Sequence, residues 1–476
     1  MDTNWDVVVM GGGTAGLFAG IAAARLGAKT LIIERGGHLG GNIATGMNLG
    51  GFFDGKDRQV VRGLPEELVQ RVVAHRGGGR GHIFFHDIDR WISSSASLDP
   101  EVFKHVAFEM VQESGCSLWL YTAFVKGYGD DGLVRYADVS TKMGVARLEA
   151  KVFIDATGDA DFAASVGAPF ERGGGTRQQA VTCMFRVGNV DLPAVERFME
   201  EKVNVDHKTP WTFENCALRA SHRYWTPWKN MTDVPASWPK QFGMYYHGTP
   251  GDVFVNCTHT AIDTLEPDDI TAGVIRLRKQ AMEFMAFFRT HIWGFENAYL
   301  THVYDLGVRE SRRVIGDYML SVDDMTSERD FDDVVAMGAY PPDLHDAKRG
   351  DILIAGEGFG TALTEDEIQR SNSLPYNPGY QIPYRSLVSS THQNLLVAGR
   401  CISASFEAQA GTRGMGPCSA MGQAVGTAAG LAVRDAVSPK ALDISALQQE
   451  LLRQGAYLGE AVSLRLSAGR GDVAAE

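Results

Sequence analysis

Among the 476 residues there is no Cys-x-x-Cys pair, no run of lysines and arginines, and no unbroken apolar stretch of the ~18 residues a membrane span needs. Each absence removes a class of protein. The six cysteines (Cys116, Cys183, Cys216, Cys257, Cys401, Cys418) stand at no metal-ligand spacing, which argues against a zinc site and predicts free thiols in a reducing compartment, with no metal bound. Acidic side chains outnumber basic ones by 58 to 45, for a net charge of −13, so no basic stripe is present to follow a nucleic-acid backbone. An apolar run already begins at Trp5, leaving no room for a charged and then apolar leader; the expectation is a cytoplasmic, non-membrane protein. With 44% hydrophobic residues the chain has material for a large core and for two domains.

What is present begins with order. Residues 5–10 form a β-branched apolar run that ends in glycines, residues 14–26 read as an Ala-rich helix, and residues 29–34 as a second apolar strand, a βαβ opening. Residues 100–113 read as a helix. Residues 116–153 alternate in short segments broken by turns such as Gly129-Asp130-Asp131-Gly132, as in a small β-meander, before an apolar run at 152–155 stops at Thr157-Gly158-Asp159. From about residue 187 to 380 the texture changes: small residues thin out and aromatics gather at Trp211, Trp225, Trp228, Trp238, Tyr245 and Tyr246, with an amphipathic helix over 268–289 opened by Pro267-Asp268-Asp269. It then reverts to an apolar strand at 394–398 ending in Gly399-Arg400, and to a final small-residue helix over 417–435 with Pro417 at its start. Both ends of the chain are therefore expected to build one domain, residues 1–186 and 381–476, with residues 187–380 inserted as an α+β substrate domain.

The glycines after the first strand carry the most specific signal. Gly11-Gly12-Gly13-Thr14-Ala15-Gly16 satisfies G-x-G-x-x-G between a strand and a helix, and Glu34 closes the second strand. Gly11 allows a tight turn, Gly13 lets the backbone approach a pyrophosphate, and Gly16 lets helix and strand pack closely, while the helix N-terminus attracts phosphate charge. Glu34 suits a ribose hydroxyl and repels a 2′-phosphate. A second glycine cluster, Gly356-Glu357-Gly358-Phe359-Gly360, has Thr361 where a third glycine is needed and reads as a turn. Three apolar strands, ending at Met10, Asp155 and Ala398, run straight into glycine or a glycine turn, as strands do that deliver their carboxyl ends to one ligand. Gly422, Gly426 and Gly430 lie four apart on one face of the last helix, a smooth stripe for close packing.

On VVVMGGGTAG (7–16), IERGGHLGGNIATG (33–46), FIDATGDADFAASVGAPFE (153–171), GVRESRRVIGDYML (307–320) and NLLVAGRCISASFEAQAGTRGMGPCSAMGQAVGTAAGLA (394–432), the chain resembles the FAD-dependent oxidoreductases, whose fold is shared with glutathione reductase and the succinate dehydrogenase flavoproteins. The resemblance implies an α/β, FAD-binding Rossmann-like fold of the glutathione reductase type with the inserted domain, and one non-covalent FAD. It puts Gly11, Gly13, Thr14, Ala15, Gly16, Glu34 and Arg35 on the ADP half and Gly40, Gly41, Asn42, Thr45 and Gly46 along the diphosphate and flavin. It puts Val125 at the adenine, Ala156, Thr157, Gly158 and Asp161 near the ribose or pyrophosphate, and Gly399, Arg400, Met415 and Gly416 at the ribityl chain or ring. His38 falls too soon after Glu34 to align with the histidine that some relatives bond to the flavin. Trp225-Thr226-Pro227-Trp228 does not match the W-x-W-x-I-P of flavin halogenases, nor the D-G motif of aromatic hydroxylases.

The leading expectation for the reaction is a dehydrogenase or oxidase, in which a small organic substrate gives hydride to the flavin and dioxygen or an external electron carrier reoxidises it. Oxygen insertion, substrate reduction with outside electrons, and a non-catalytic FAD-binding protein are the alternatives; a homodimer is admitted. The candidate catalytic groups lie in the middle domain. Arg309, Glu310 and Arg312 concentrate charge before an apolar run, as an anion clamp or as a buried ion pair. Asp343 and His345, two apart in an extended segment, share a face, so the carboxylate can orient the imidazole to take a hydroxyl proton.

Overall fold

The computed structural model describes residues 3–84, 94–174, 178–202, 218–220, 242–345, 352–354 and 379–468. Cys216, Trp211, Trp225, Trp228, Trp238 and the glycine cluster at 356–360 lie outside the described residues. Among the described residues no helix is long and apolar enough to cross a membrane, and the five described cysteines are buried and free.

Strand β1 (Asn4–Met10) buries Val7, Val8, Val9 and Met10 completely, because neighbours cover both its faces. On one side it runs parallel to β2 (Thr30–Ile33), which is followed outward by parallel β3 (Ser117–Trp119). An antiparallel ribbon, β4 (Ala123–Asp130), β5 (Leu133–Thr141) and β6 (Gly144–Asp155), supplies the other side. Asp131 (φ 47°) and Gly132 (φ 73°) make the β4–β5 turn, the left-handed pair that suits the twist of a two-residue hairpin. The meander and the later apolar run are one strand. The first half of β6 alternates between exposed and buried positions against β5, and its second half, Val152 to Asp155, is wholly buried and runs parallel to β1. Strand β13 (Leu395–Val397) then pairs in parallel with Phe153–Asp155, so segments from both ends of the chain complete one Rossmann-like parallel sheet.

Two helices are pressed together on this sheet. In α1 (Thr14–Arg25) almost every residue is buried, and α3 (Met415–Arg434) crosses it through the glycine stripe. A Cβ at Gly422 would stand 2.2 Å from the Ala15 carbonyl oxygen, and one at Gly426 would stand 2.1 Å from that of Ala19. The helix starts at Met415, two residues earlier than the sequence suggests, because extended Gly414 caps it; Pro417 sits harmlessly in the first turn, where its missing N–H had no helical acceptor. Nor is it the last helix. Ile444–Arg453 and Glu460–Ala468 follow, with Leu447, Leu451 and Val462 buried against the core.

The middle of the chain builds a second, antiparallel sheet in the order β8 (Leu218–Ala220), β9 (Phe242–Tyr245), β10 (Val253–Asn256), β7 (Thr182–Gly188), β11 (Tyr299–Gly307). The helix α2 (Pro267–His291) buries Leu277, Ala281, Phe284 and Phe288, spaced three to four apart, against it. Its first turn holds Pro267, Asp268 and Asp269, as the dipole favours.

Candidate functional site

The parallel strands end at a set of glycine turns. Gly11 (φ 100°) sits so close to β6 that a Cβ would meet the Ala156 carbonyl oxygen at 2.6 Å, and at Gly16 it would meet that of Gly11 at 1.8 Å. Gly13 differs. Its nearest neighbour in that direction is the Ala156 oxygen at 4.0 Å, so the position is open space in front of the α1 N-terminus, which no side chain caps. That open cradle fits a pyrophosphate, and a side chain would fill it. Glu34 spans the turns: its two carboxylate oxygens accept from the Gly12 and Gly36 amides at 2.9 and 2.7 Å. Arg35 is exposed beside it, and Val125 lies exposed on β4.

The segment 40–46 folds over this cradle. The Gly40 amide donates to the Gly12 carbonyl at 2.8 Å, Thr14 Oγ1 donates to the Gly40 carbonyl at 3.0 Å, and Gly41 lies against Gly13 and Thr14. Thr45 Oγ1 donates to the Asn42 carbonyl. At the far end of the segment, a Cβ on Gly46 (φ 78°) would collide with Phe254 of β10, so here the segment meets the middle sheet. His247 fastens that junction. Its ring is buried, its Nε2 faces the Gly46 carbonyl at 2.7 Å and its Nδ1 faces Ser97 Oγ at 2.8 Å. Burial pushes it down to about 4, so it is neutral and donates Nε2–H to Gly46.

The third turn is organised by Asp155, which sequence reading passed over. Its wholly buried carboxylate accepts from the Thr157 amide and hydroxyl and the Ala163 amide at 2.7–2.9 Å, and burial raises it to about 6. Ala156, Thr157 and Gly158 are thereby held at the carboxyl end of β6. Arg400, following Gly399 (φ 90°), lies against Gly158, pairs with Asp159 at 2.9 Å and donates to the Val308 carbonyl at 2.9 Å. Arg312 reaches the same turn, with Asp161 at 2.9 Å and the Asp159 carbonyl at 3.1 Å. Gly416 packs on Gly50, and Met415 is buried beside it.

The charged run 309–313 divides by position. Glu310 is turned away from the turns, accepting from the Gly173 amide at 2.6 Å and from buried Arg313 at 3.3 Å; burial raises its carboxyl. Arg309 faces a cleft lined by Asn42 and Thr45 of segment 40–46 and Met47 just after it, Thr182 and Met184 of β7, Asp305, Gly307 and Val308, and by Arg400 and Arg413. Behind it, β12 (Asp343–His345) presents both polar side chains on one side: His345 Nε2 lies 3.1 Å from Asp343 Oδ2, which also accepts from Tyr340 Oη at 3.1 Å and faces Arg413 at 3.4 Å. Burial alone would raise the Asp343 carboxyl, but His345, Arg413 and Arg309 outweigh it and hold the group well below the usual carboxylate range. Burial and the nearby Arg309 push His345 down to about 4. Asp343 is therefore the anion and His345 the neutral partner, donating Nε2–H and leaving Nδ1 as an acceptor.

Arg413, Tyr340 and His247 belong to this site and were not singled out from sequence. Arg413 had a signal: it is the single charged residue between Glu407 and Arg434, in a stretch otherwise of small and neutral residues.

The match to known proteins covers nearly the whole chain. The family model described as FAD dependent oxidoreductase matches residues 6–451. Among solved structures, the chain is similar to a geranylgeranyl bacteriochlorophyll reductase-like protein from Thermoplasma acidophilum (12% identity, 96% of this chain and 84% of that one, TM-score 0.45). It is likewise similar to a flavin-dependent brominase (12%, 94% and 82%, TM-score 0.44) and to a p-nitrophenol 4-monooxygenase from Pseudomonas putida (12%, 93% and 84%, TM-score 0.45). With the family model spanning the glycine turns, the middle sheet and the closing helix alike, the chain belongs to the FAD-dependent oxidoreductase family, an enzyme whose cofactor is FAD.

Proposed function

We propose that the protein is a dehydrogenase or oxidase of a small organic substrate, with the substrate lying in the cleft between segment 40–46 and Arg309. The observation that carries this reading is the buried Asp343–His345 pair, joined through Arg413 to the wall of that cleft. When bound, FAD supplies a two-electron hydride acceptor. The chain's own residues do the rest. His345 takes a hydroxyl proton at Nδ1, and Asp343, accepting Nε2–H, fixes the ring and stabilises the cation that forms. Arg309 and Arg413 orient the substrate. Segment 40–46, held by Thr14 and His247, shields the reacting atoms from water.

In the same reading, Gly11, Gly13, Thr14, Ala15, Gly16, Glu34 and Arg35 hold the ADP half, Val125 meets the adenine, and Asn42, Thr45, Arg400, Met415 and Gly416 line the flavin half. Arg312 positions the turn at Gly158 and Asp161, and Glu310 positions Arg309 by anchoring its neighbour to Arg313. In this reading the fold is of the glutathione reductase type with residues 187–380 inserted between 1–186 and 381–476, although β7 crosses the first of those boundaries and Val314, Leu320 and Val334 pack into the core of the parallel sheet. The test is anaerobic. Holoenzyme of a dehydrogenase or oxidase is bleached by a member of a compound library with no nicotinamide cofactor added; bleaching that requires NAD(P)H points instead to oxygen insertion, and no bleaching by either to a non-catalytic flavoprotein.

A further inference from the structure

Resting on the reading of the cleft above, we infer that its substrate carries one carboxylate, which Arg309 receives. Arg400 and Arg413 each have a carboxylate partner, Asp159 at 2.9 Å and Asp343 at 3.4 Å. Arg309 has none within ion-pair distance among the described residues: its guanidinium donates to the Ala180 carbonyl at 2.7 Å, Asp343 acts on it only from longer range, and Asp305, the acid lining the cleft, forms no ion pair with it. Yet it is 8% exposed as a residue and opens onto the cleft. An arginine stays charged at neutral pH, and a buried charge without a counter-ion is costly enough that a site retains it for an anion.

The surroundings agree. Burial, with Arg413 nearby, lowers Arg309 to about 10, which leaves it a cation while marking how poorly it is compensated. Arg413 Nε, a second donor at the same wall, is buried with no hydrogen-bond partner among the described residues. Two guanidinium groups with unused donors suit the two oxygens of a carboxylate. Asp305 already brings one negative charge to the lining, so the single charge of a carboxylate is accommodated better than the roughly −1.5 to −2 that a phosphate monoester carries at neutral pH. Thr182 and Met184, which also line the cleft, leave a part-apolar surface for the remainder of a short acid.

The experiment titrates FAD-loaded enzyme with propionate, propionamide and inorganic phosphate at constant ionic strength, reading the flavin absorbance and the melting temperature. The expected result is that propionate perturbs the spectrum and raises the melting temperature while propionamide does neither, and that Arg309→Gln weakens propionate roughly ten- to a hundredfold. Arg309→Lys, which keeps the charge, should retain most of the binding and covers the case in which the glutamine variant does not fold. Equal binding of acid and amide, tighter binding of phosphate, or unchanged propionate affinity in Arg309→Gln with a shifted flavin potential overturns the inference, the last by assigning the guanidinium to the cofactor. No turnover is needed, so the two readings fail separately. Bleaching by a neutral alcohol alone sinks the carboxylate and leaves the dehydrogenase; propionate held by Arg309 with no compound able to bleach the flavin does the reverse.

Discussion

On the glycine-turn side of the cleft the shape is set largely by backbone, with glycines placed where a Cβ would strike a carbonyl oxygen and open space left at Gly13. On the facing side, Arg309, Asp343, His345 and Arg413 come from three separate segments, and Asp343 and His345 depend on these neighbours for their charge states. The first side is a shape and the second a balance of charges. A shape tolerates no change of volume, whereas a balance degrades in steps.

The comparison is sharpest between two glycines. Gly422→Val forces α3 away from α1, since its Cβ has only 2.2 Å to the Ala15 oxygen; loss of most of the protein's stability is expected, read as insoluble or unfolded chain by circular dichroism. Gly13→Leu projects into open space, so the chain should fold with a nearly wild-type melting temperature as apoprotein yet fail to retain FAD. Apoprotein of that variant that takes up FAD normally would remove the cradle from the pyrophosphate. On the charged side, His345→Ala should keep its FAD and slow anaerobic flavin reduction by about 10²-fold, the usual worth of a general base; an unchanged rate would move the proton transfer elsewhere. Glu34→Ala should do the converse, weakening FAD by about ten- to a hundredfold with no change in the reduction rate once loaded, as expected from loss of a charge-assisted hydrogen bond.

A further effect concerns pH. His247 and His345 are both lowered to about 4, so the folded chain refuses protons that the unfolded chain binds below about 6.5. Their contribution is complete above that value and is lost as the pH falls toward 4, up to ~3 kcal/mol for each. Urea midpoints between pH 7 and 4.5 should fall accordingly, and His247→Gln should flatten part of the slope; parallel slopes in variant and wild type would mean that the ring is already charged.

The two sides were also unequally legible in the sequence. Gly11, Gly13, Gly16 and Glu34 could be placed because a tight turn, a close approach and a strand end each demand one residue type at one spacing. The packing role of Gly422 and Gly426 could be read for the same reason. Asp343 and His345 were within reach because an extended segment puts them on one face, but their charge states were not, since these depend on Arg309 and Arg413, 34 and 70 residues from Asp343 along the chain. His247 was hidden in an aromatic-rich stretch, and its partners Gly46 and Ser97 lie 201 and 150 residues away. Asp155 looked like the polar end of an apolar strand, and only the fold shows three donors converging on it.

Strand β13 has a consequence for the newborn chain. It pairs with Phe153–Asp155 across about 240 residues of intervening chain, a closure whose entropy is paid before any contact rewards it. During synthesis the middle sheet and its helix are complete while β6 still shows an unpaired edge and α1 a bare face, surfaces that invite association with other strands. The glycine cradle gains its roof of Arg400 and Met415 only when the last sixth or so of the chain emerges, so cofactor loading is a late event and translation through residue 434 is the step a folding helper or an excess of FAD has most to protect.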